Sequence, residues 1–178
     1  PQGMHDRPSD HIRMLFVEGH LGQGNEAGLG NAIQLAELLQ QRFPQPIELM
    51  IAGKVPQNIM DKISATTNNW LTWVGIIPRS EIPKLDRSAH LLFSADLNAA
   101  CPNSVIEALA CGLPVVAYAT GALPELLKND AGRTAPYGSN YWELQPPDPT
   151  ALTDAATEII NNLDYFQQKA RLQAEKMF

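Results

Sequence analysis

Three things are scarce in this chain of 178 residues. It has two cysteines, Cys101 and Cys111. Two thiols make no disulfide scaffold, and their spare use fits a reducing compartment. No second Cys or His pair stands at ligand spacing from them, so no metal is expected. Basic residues are few: 13 Lys and Arg against 19 Asp and Glu give a net charge of −6, with no clustered basic face. That argues against a nucleic-acid partner, since phosphate contacts need cations in number. A small anion stays open, because a helix N-terminus can hold one with few cations. Long apolar runs are missing as well. No stretch approaches the ~18 residues of a membrane span, and the opening PQGMHDRPSD has no apolar segment of the signal-peptide kind. The expectation is a soluble, cytoplasmic protein.

What is present is enough for a core. A domain of this length buries roughly 70% of its unfolded surface without staples. Residues 1–10, polar and with two prolines, read as a tail or linker, and 11–178 as one domain. From there the chain keeps a rhythm. Strand-like runs at 12–18, 47–53, 70–75, 90–96 and 114–119 alternate with helical patterns at 27–43, 56–67, 80–89, 103–112 and 123–129. Residues 131–144 hold one short, poorly patterned strand or loop, and two helices follow PPDP (146–149). Alternation of this kind predicts a doubly wound α/β domain: a parallel sheet covered by helices on both faces. Such sheets bind ligands at the carboxyl ends of their strands. The loops to inspect are therefore 18–27, 53–56, 75–80, 95–103 and 119–124.

The loop EGHLGQGNEAGLG (18–30) carries five glycines between a strand and a helix. Glycine lets backbone approach a phosphate, but a flexible connection is an equal reading. GQGNEA fits G-x-G-x-x-A only loosely, and the second strand ends in Gly53 and Lys54 where a ribose-binding acid would be expected, which argues against a nicotinamide cofactor. His20 and Lys54 are candidate anion contacts. Arg79 reads as a partner of Glu81 or a solvated charge. Cys101 reads as an ordinary buried thiol, since no adjacent base completes a nucleophile pair.

Glu107 is the odd residue, a lone carboxylate among Val105, Ile106, Ala108, Leu109 and Ala110. Burial there is costly unless it is satisfied. Ser104 three residues earlier makes S-x-x-E, a capping box, which would satisfy it locally. A ligand is the other reading.

The segment CPNSVIEALACGLPVVAYATGALPEL resembles the donor-binding signature of retaining glycosyltransferases of the GT-B fold. The likeness lies in Pro102, Ser104, Glu107, Ala108, Ala110, Gly112, Pro114, Val115, Val116 and Ala117, followed by Gly121, Pro124 and Glu125. LFVEGHLG, LMIAGK, WVGIIPRSEIPKLDRSAHLLFSA and PPDPTALTDAATEII also resemble their family counterparts. The resemblance implies a Rossmann-like, nucleotide-sugar-binding half of a GT-B enzyme, spanning about residues 12–165. A preceding acceptor-binding half is implied as partner, and the isolated chain is expected to be inactive.

It further implies transfer of a sugar (of the hexosyltransferase type) from a nucleotide-diphosphate donor to a hydroxyl, with no cofactor and no obligatory metal. Glu107 takes the place of the ribose-binding glutamate. The family's earlier glutamate falls at Ala99. Cys101, Pro102, Asn103 and Ser104 resemble the loop meeting sugar and distal phosphate. Gly75 and Ile77 resemble the base-reading loop, and Thr120 and Gly121 the turn beside the phosphates. The family's phosphate-clamping Arg falls at Gly19 or His20, and residues 18–30 contain no Lys. Two other readings follow from the same signature: a non-catalytic nucleotide-sugar-binding module, and a nucleotide-sugar epimerase of related fold.

Overall fold

The computed structural model describes residues 7–20, 26–65, 67 and 69–178, His20 by its backbone only. Six strands form one parallel sheet: β1 (Ile12–His20), β2 (Ile47–Lys54), β3 (Leu71–Gly75), β4 (Leu91–Ser94), β5 (Val115–Tyr118) and β6 (Gly132–Ala135). Their order is β3-β2-β1-β4-β5-β6. Connections run outward one way from β1 and the other way from β4, so a crevice opens between those two strands at their carboxyl ends. This is the expected doubly wound, Rossmann-like architecture of a GT-B half.

The central strands read as nearly continuous apolar runs because both faces are covered. On one face α1 (Ala27–Gln40) and α6 (Pro149–Asn161) pack over Met14, Phe16, Leu49, Phe93 and Tyr118. In α1, Leu29, Ala32, Leu35, Ala36 and Leu39 recur at helical spacing and are all buried. On the other face α3 (Ile82–Arg87), α4 (Asn103–Ala110), α5 (Leu123–Leu126) and α7 (Leu163–Met177) cover Leu15, Met50, Leu92, Val115 and Ala117. The remaining helix, α2 (Gln57–Ser64), contributes only half-buried side chains. Aromatic rings tie the sheet across its strands: Phe16 stacks on Phe93 at 6.0 Å, Phe93 meets Tyr118 edge-on, and Tyr118 meets Tyr137 at 4.9 Å.

Several elements differ from their sequence bounds. β1 extends to His20 and α1 begins at Ala27, so Gly28 and Gly30 are helical and do not belong to the first loop. A Cβ on Gly28 would lie 2.9 Å from that of Ala95, so this glycine serves close packing of α1 on the sheet. Pro56 is the N-cap of α2 rather than its first helical residue. The poorly patterned stretch after 131 does hold a strand, β6, whose four residues GRTA are half polar because it is an edge.

Arg133 in β6 anchors that edge. Its guanidinium bonds Glu158 at 2.8 Å and Asp130 at 2.7 Å, and lies 4.5 Å from the centre of the Phe166 ring. Those carboxylates hold the guanidinium above its ordinary pKa. A flat fork serves both acids and the ring, and a lysine cannot. Arg133→Lys is expected to cost about 1 kcal/mol, read as a lower urea midpoint at unchanged m-value.

Candidate functional site

The carboxyl ends of β1, β2 and β3 enclose an apolar hollow of about 160 Å³. Val17 and Gly19 line it from β1, Ala52 and Gly53 from β2, Gly75 and Ile77 from β3 and the loop after it, and Ile82 and Leu85 from α3. That is smaller than the roughly 300 Å³ of a small-molecule pocket, so it suits one flat ring rather than a whole dinucleotide. A second hollow of about 210 Å³ adjoins it through Gly53, Gly75 and Ile76 and is lined by Lys54. Larger hollows lie elsewhere. One of about 750 Å³ sits between Arg87, Cys111 and Arg171, at the carboxyl end of α4, and another of about 570 Å³ lies by His11 and His90. Both face the amino ends of the strands, where folds of this type do not place ligands.

Two glycines shape the rim. Gly53 has φ +144°, and a Cβ there would stand 1.7 Å from the carbonyl oxygen of Glu18. The β1–β2 register slips at this point, between Val17 and His20, and the two strand ends come together backbone to backbone. Gly121, with φ +53°, does the same for the neighbouring loops: a Cβ there would meet the Ala99 carbonyl oxygen at 2.6 Å. The Ala122 amide donates to that same oxygen at 2.9 Å. Thr120 is buried, and its hydroxyl donates to the Asp96 carbonyl at 3.2 Å. The loops after β4 and β5 are thereby locked into one surface that carries Ala99, Cys101, Thr120 and Gly121.

α4 leaves that surface. Its N-cap is Pro102, so Asn103 and Ser104 are its first two helical residues. Helix geometry leaves their amides without an intrahelical acceptor, directed back at the loop with the positive end of the helix dipole. The capping box expected from S-x-x-E is absent. Ser104 lies inside the helix, no side chain caps it, and Glu107 sits two residues beyond the N3 position that a capping box needs. The Glu107 carboxylate instead stands half-exposed, with the Arg79 Nε 3.8 Å away. Arg79 is 91% exposed, so this is a loose pairing in water. Of the two readings for Arg79 the solvated charge holds; Glu81 instead binds Lys84 at 2.9 Å. Cys101 is exposed, not buried as expected, because the loop before α4 turns outward at that residue.

Asp86 and its position were not legible in the sequence. It is 2% exposed, on the face of α3 that packs against α4. Burial first, and the nearby Glu107 charge second, push its carboxyl up to about 7. Its neighbour Cys111 is pushed up to about 11, mainly by burial, and stays a thiol.

The structure thus gathers Gly19, Gly75 and Ile77 around one hollow, with Lys54 beside it. Ala99, Cys101, Pro102, Asn103, Ser104, Thr120 and Gly121 form the adjoining surface, and Glu107 stands on α4. The side chain of His20 and the GQGN half of the glycine fingerprint lie outside the described residues. Among the described residues no cluster of acids, His and Cys is arranged to hold a metal, and no helix is long and apolar enough to cross a membrane.

Comparison with known proteins decides the family: the profile of glycosyl transferases group 1 matches residues 12–162, most of the chain. The chain belongs to that family. No curated protein matches it significantly by sequence, but many solved structures share its fold. The sucrose-phosphate synthase of Thermosynechococcus elongatus superposes with a TM-score of 0.71 at 20% identity, over 98% of this chain and 46% of its own. A TarM variant of S. aureus, solved with fondaparinux, alpha-GlcNAc-glycerol and UDP, gives 0.72 at 17% identity, over 98% of this chain and 35% of its own. HepE of Anabaena, solved with UDP-glucose, gives 0.68 at 18%, over 96% of this chain and 45% of its own. The chain therefore spans less than half the length of each of these glycosyltransferase-fold relatives.

Proposed function

We propose that this chain is the donor-binding half of a retaining glycosyltransferase of the hexosyltransferase type. It takes a nucleotide-diphosphate sugar and, with an acceptor-binding half that precedes it, passes the sugar to a hydroxyl. On this reading residues 1–10 are a tail or linker, 11–178 the donor domain, and the enzyme works in the cytoplasm without an obligatory metal. One observation carries the proposal. Glu107 is a carboxylate held half-exposed on an otherwise apolar helix, uncapped and only loosely paired to Arg79, on the helix that packs against α3, which lines the ring-sized hollow. A carboxylate so placed can accept two vicinal ribose hydroxyls. The hollow takes the base, and the free amides of Asn103 and Ser104 meet the distal phosphate. Charge developing on the leaving diphosphate is then stabilised by that helix end. Lys54 lies across the adjoining hollow as a further cation.

A second reading is favoured by Ala99, which stands where the family has a glutamate beside the sugar. Losing one transition-state contact costs 10²–10³ in rate, which fits a non-catalytic nucleotide-sugar-binding module. An epimerase of related fold would use the same donor site.

The test is a calorimetric screen of UDP-, GDP- and ADP-sugars against this chain. Saturable binding of one of them is expected; no binding by any overturns the proposal. Steady sugar transfer by the isolated chain would contradict its role as one half of an enzyme.

A further inference from the structure

Resting on that donor site, the structure also points to how it responds to pH. Asp86 has no solvent to carry its charge, being 2% exposed, and its Oδ2 has no hydrogen-bond partner. Its neighbours on α4 are Cys111, whose thiol bonds it, and Glu107, one turn before Cys111 on the same helix face. Arg87 on its own helix is the nearby cation, and Arg79 and Arg171 reach the same corner only through Glu107 and Cys111. Two carboxylates in such a corner do not both ionise readily; the buried one keeps its proton. Neutral Asp86 leaves Glu107 as the one anion there. Ionised Asp86 adds a second, fixed against Cys111 one turn of α4 from Glu107.

We propose that Asp86 is a positioning residue for donor binding, a buried proton carrier under Glu107 that, once deprotonated, repels the anionic nucleotide sugar. The geometry makes it act through Glu107 and the local field, without touching the ligand. The ordinary carboxylate pKa near 4 is raised to about 7 in the fold. Stability from this proton is therefore complete below about pH 4 and is lost as pH rises through about 7. His90, held down at about 4 mainly by burial, contributes the opposite slope below pH 6.5. Above pH 6.5 only the Asp86 slope of the two remains.

The experiment measures affinity for UDP-, GDP- and ADP-glucose from pH 6 to 8, a range in which none of these probes titrates. It also follows the urea midpoint over the same range. For the wild type, affinity of the best-binding probe should weaken roughly fivefold across this range and the urea midpoint should fall. Asp86→Asn should bind as the wild type does at pH 6, keep that affinity to pH 8, and lose the fall in urea midpoint above pH 6.5, with only the His90 rise left below it. Should Asp86→Asn fail to fold, Cys111→Ala decides. Losing the thiol that favours the charged form should move both midpoints to higher pH, and Glu107→Gln should move the stability midpoint lower. Parallel profiles in wild type and variants overturn the inference. Binding of no probe at any pH overturns the donor-site reading itself, and the inference with it.

Discussion

Gly53→Ala is expected to destabilise the fold by about 4 kcal/mol or more. The residue has φ +144°, a region that L side chains rarely adopt, and its Cβ would lie 1.7 Å from the Glu18 carbonyl oxygen. Both sides of that contact are backbone, so no rotamer change relieves it. Either β1 and β2 part at their carboxyl ends, or the turn after β2 is rebuilt. Most substitutions cost 0.5–3 kcal/mol, and larger losses come from a named strain such as this one. A loss of about 4 kcal/mol or more takes a large share of the 5–15 kcal/mol available to a domain. Urea denaturation checks it, with Gly19→Ala as the control. Gly19 lines the same hollow, yet a Cβ there meets nothing within 4 Å. Its urea midpoint should match the wild type.

Glu107→Gln is expected to weaken nucleotide-sugar binding roughly 10- to 100-fold while leaving the fold intact. Amide and carboxylate have nearly the same shape, and the Arg79 contact being lost is loose and solvated. Hydrogen bonds to a charged acceptor are worth about 1.5–3 kcal/mol, which is the fold-change given once converted. The amide also points a donor at a hydroxyl that needs an acceptor, so part of the loss is a misplaced proton. Arg79→Ala removes only the loose pair and should not reproduce the loss of affinity.

The fold was legible because its signals are long-range and redundant. Five apolar strand runs alternating with amphipathic helices admit few arrangements besides a parallel, two-sided sheet. β6 was faint because an edge strand of four residues, GRTA, needs neither apolar face in full. The signature from Pro102 to Glu125 also falls on one surface: the loops carrying Ala99–Ser104 and Thr120–Gly121 are locked together by the Ala99 carbonyl.

What the sequence did not show was set by where α4 starts. S-x-x-E reads as a capping box only if Ser104 is the N-cap. Pro102, with its fixed φ and no amide to leave orphaned, begins the helix two residues earlier. That shift frees Glu107 for other work and turns Cys101 outward. The glycines were equally silent: Gly19 and Gly53 look alike in sequence, and only backbone approach separates the dispensable one from the required one. Asp86 gave no signal, since KLDRSA reads as an ordinary solvated helix. Its burial is a consequence of α3 lying against α4, a tertiary contact that no local pattern encodes.

The proposed hold of Glu107 on the sugar-nucleotide is put to the test by isothermal titration of wild type beside Glu107→Gln. The donor that binds the wild type should bind the variant at least tenfold more weakly, with both proteins unfolding at the same urea concentration. Equal affinity in two equally stable proteins would contradict the account.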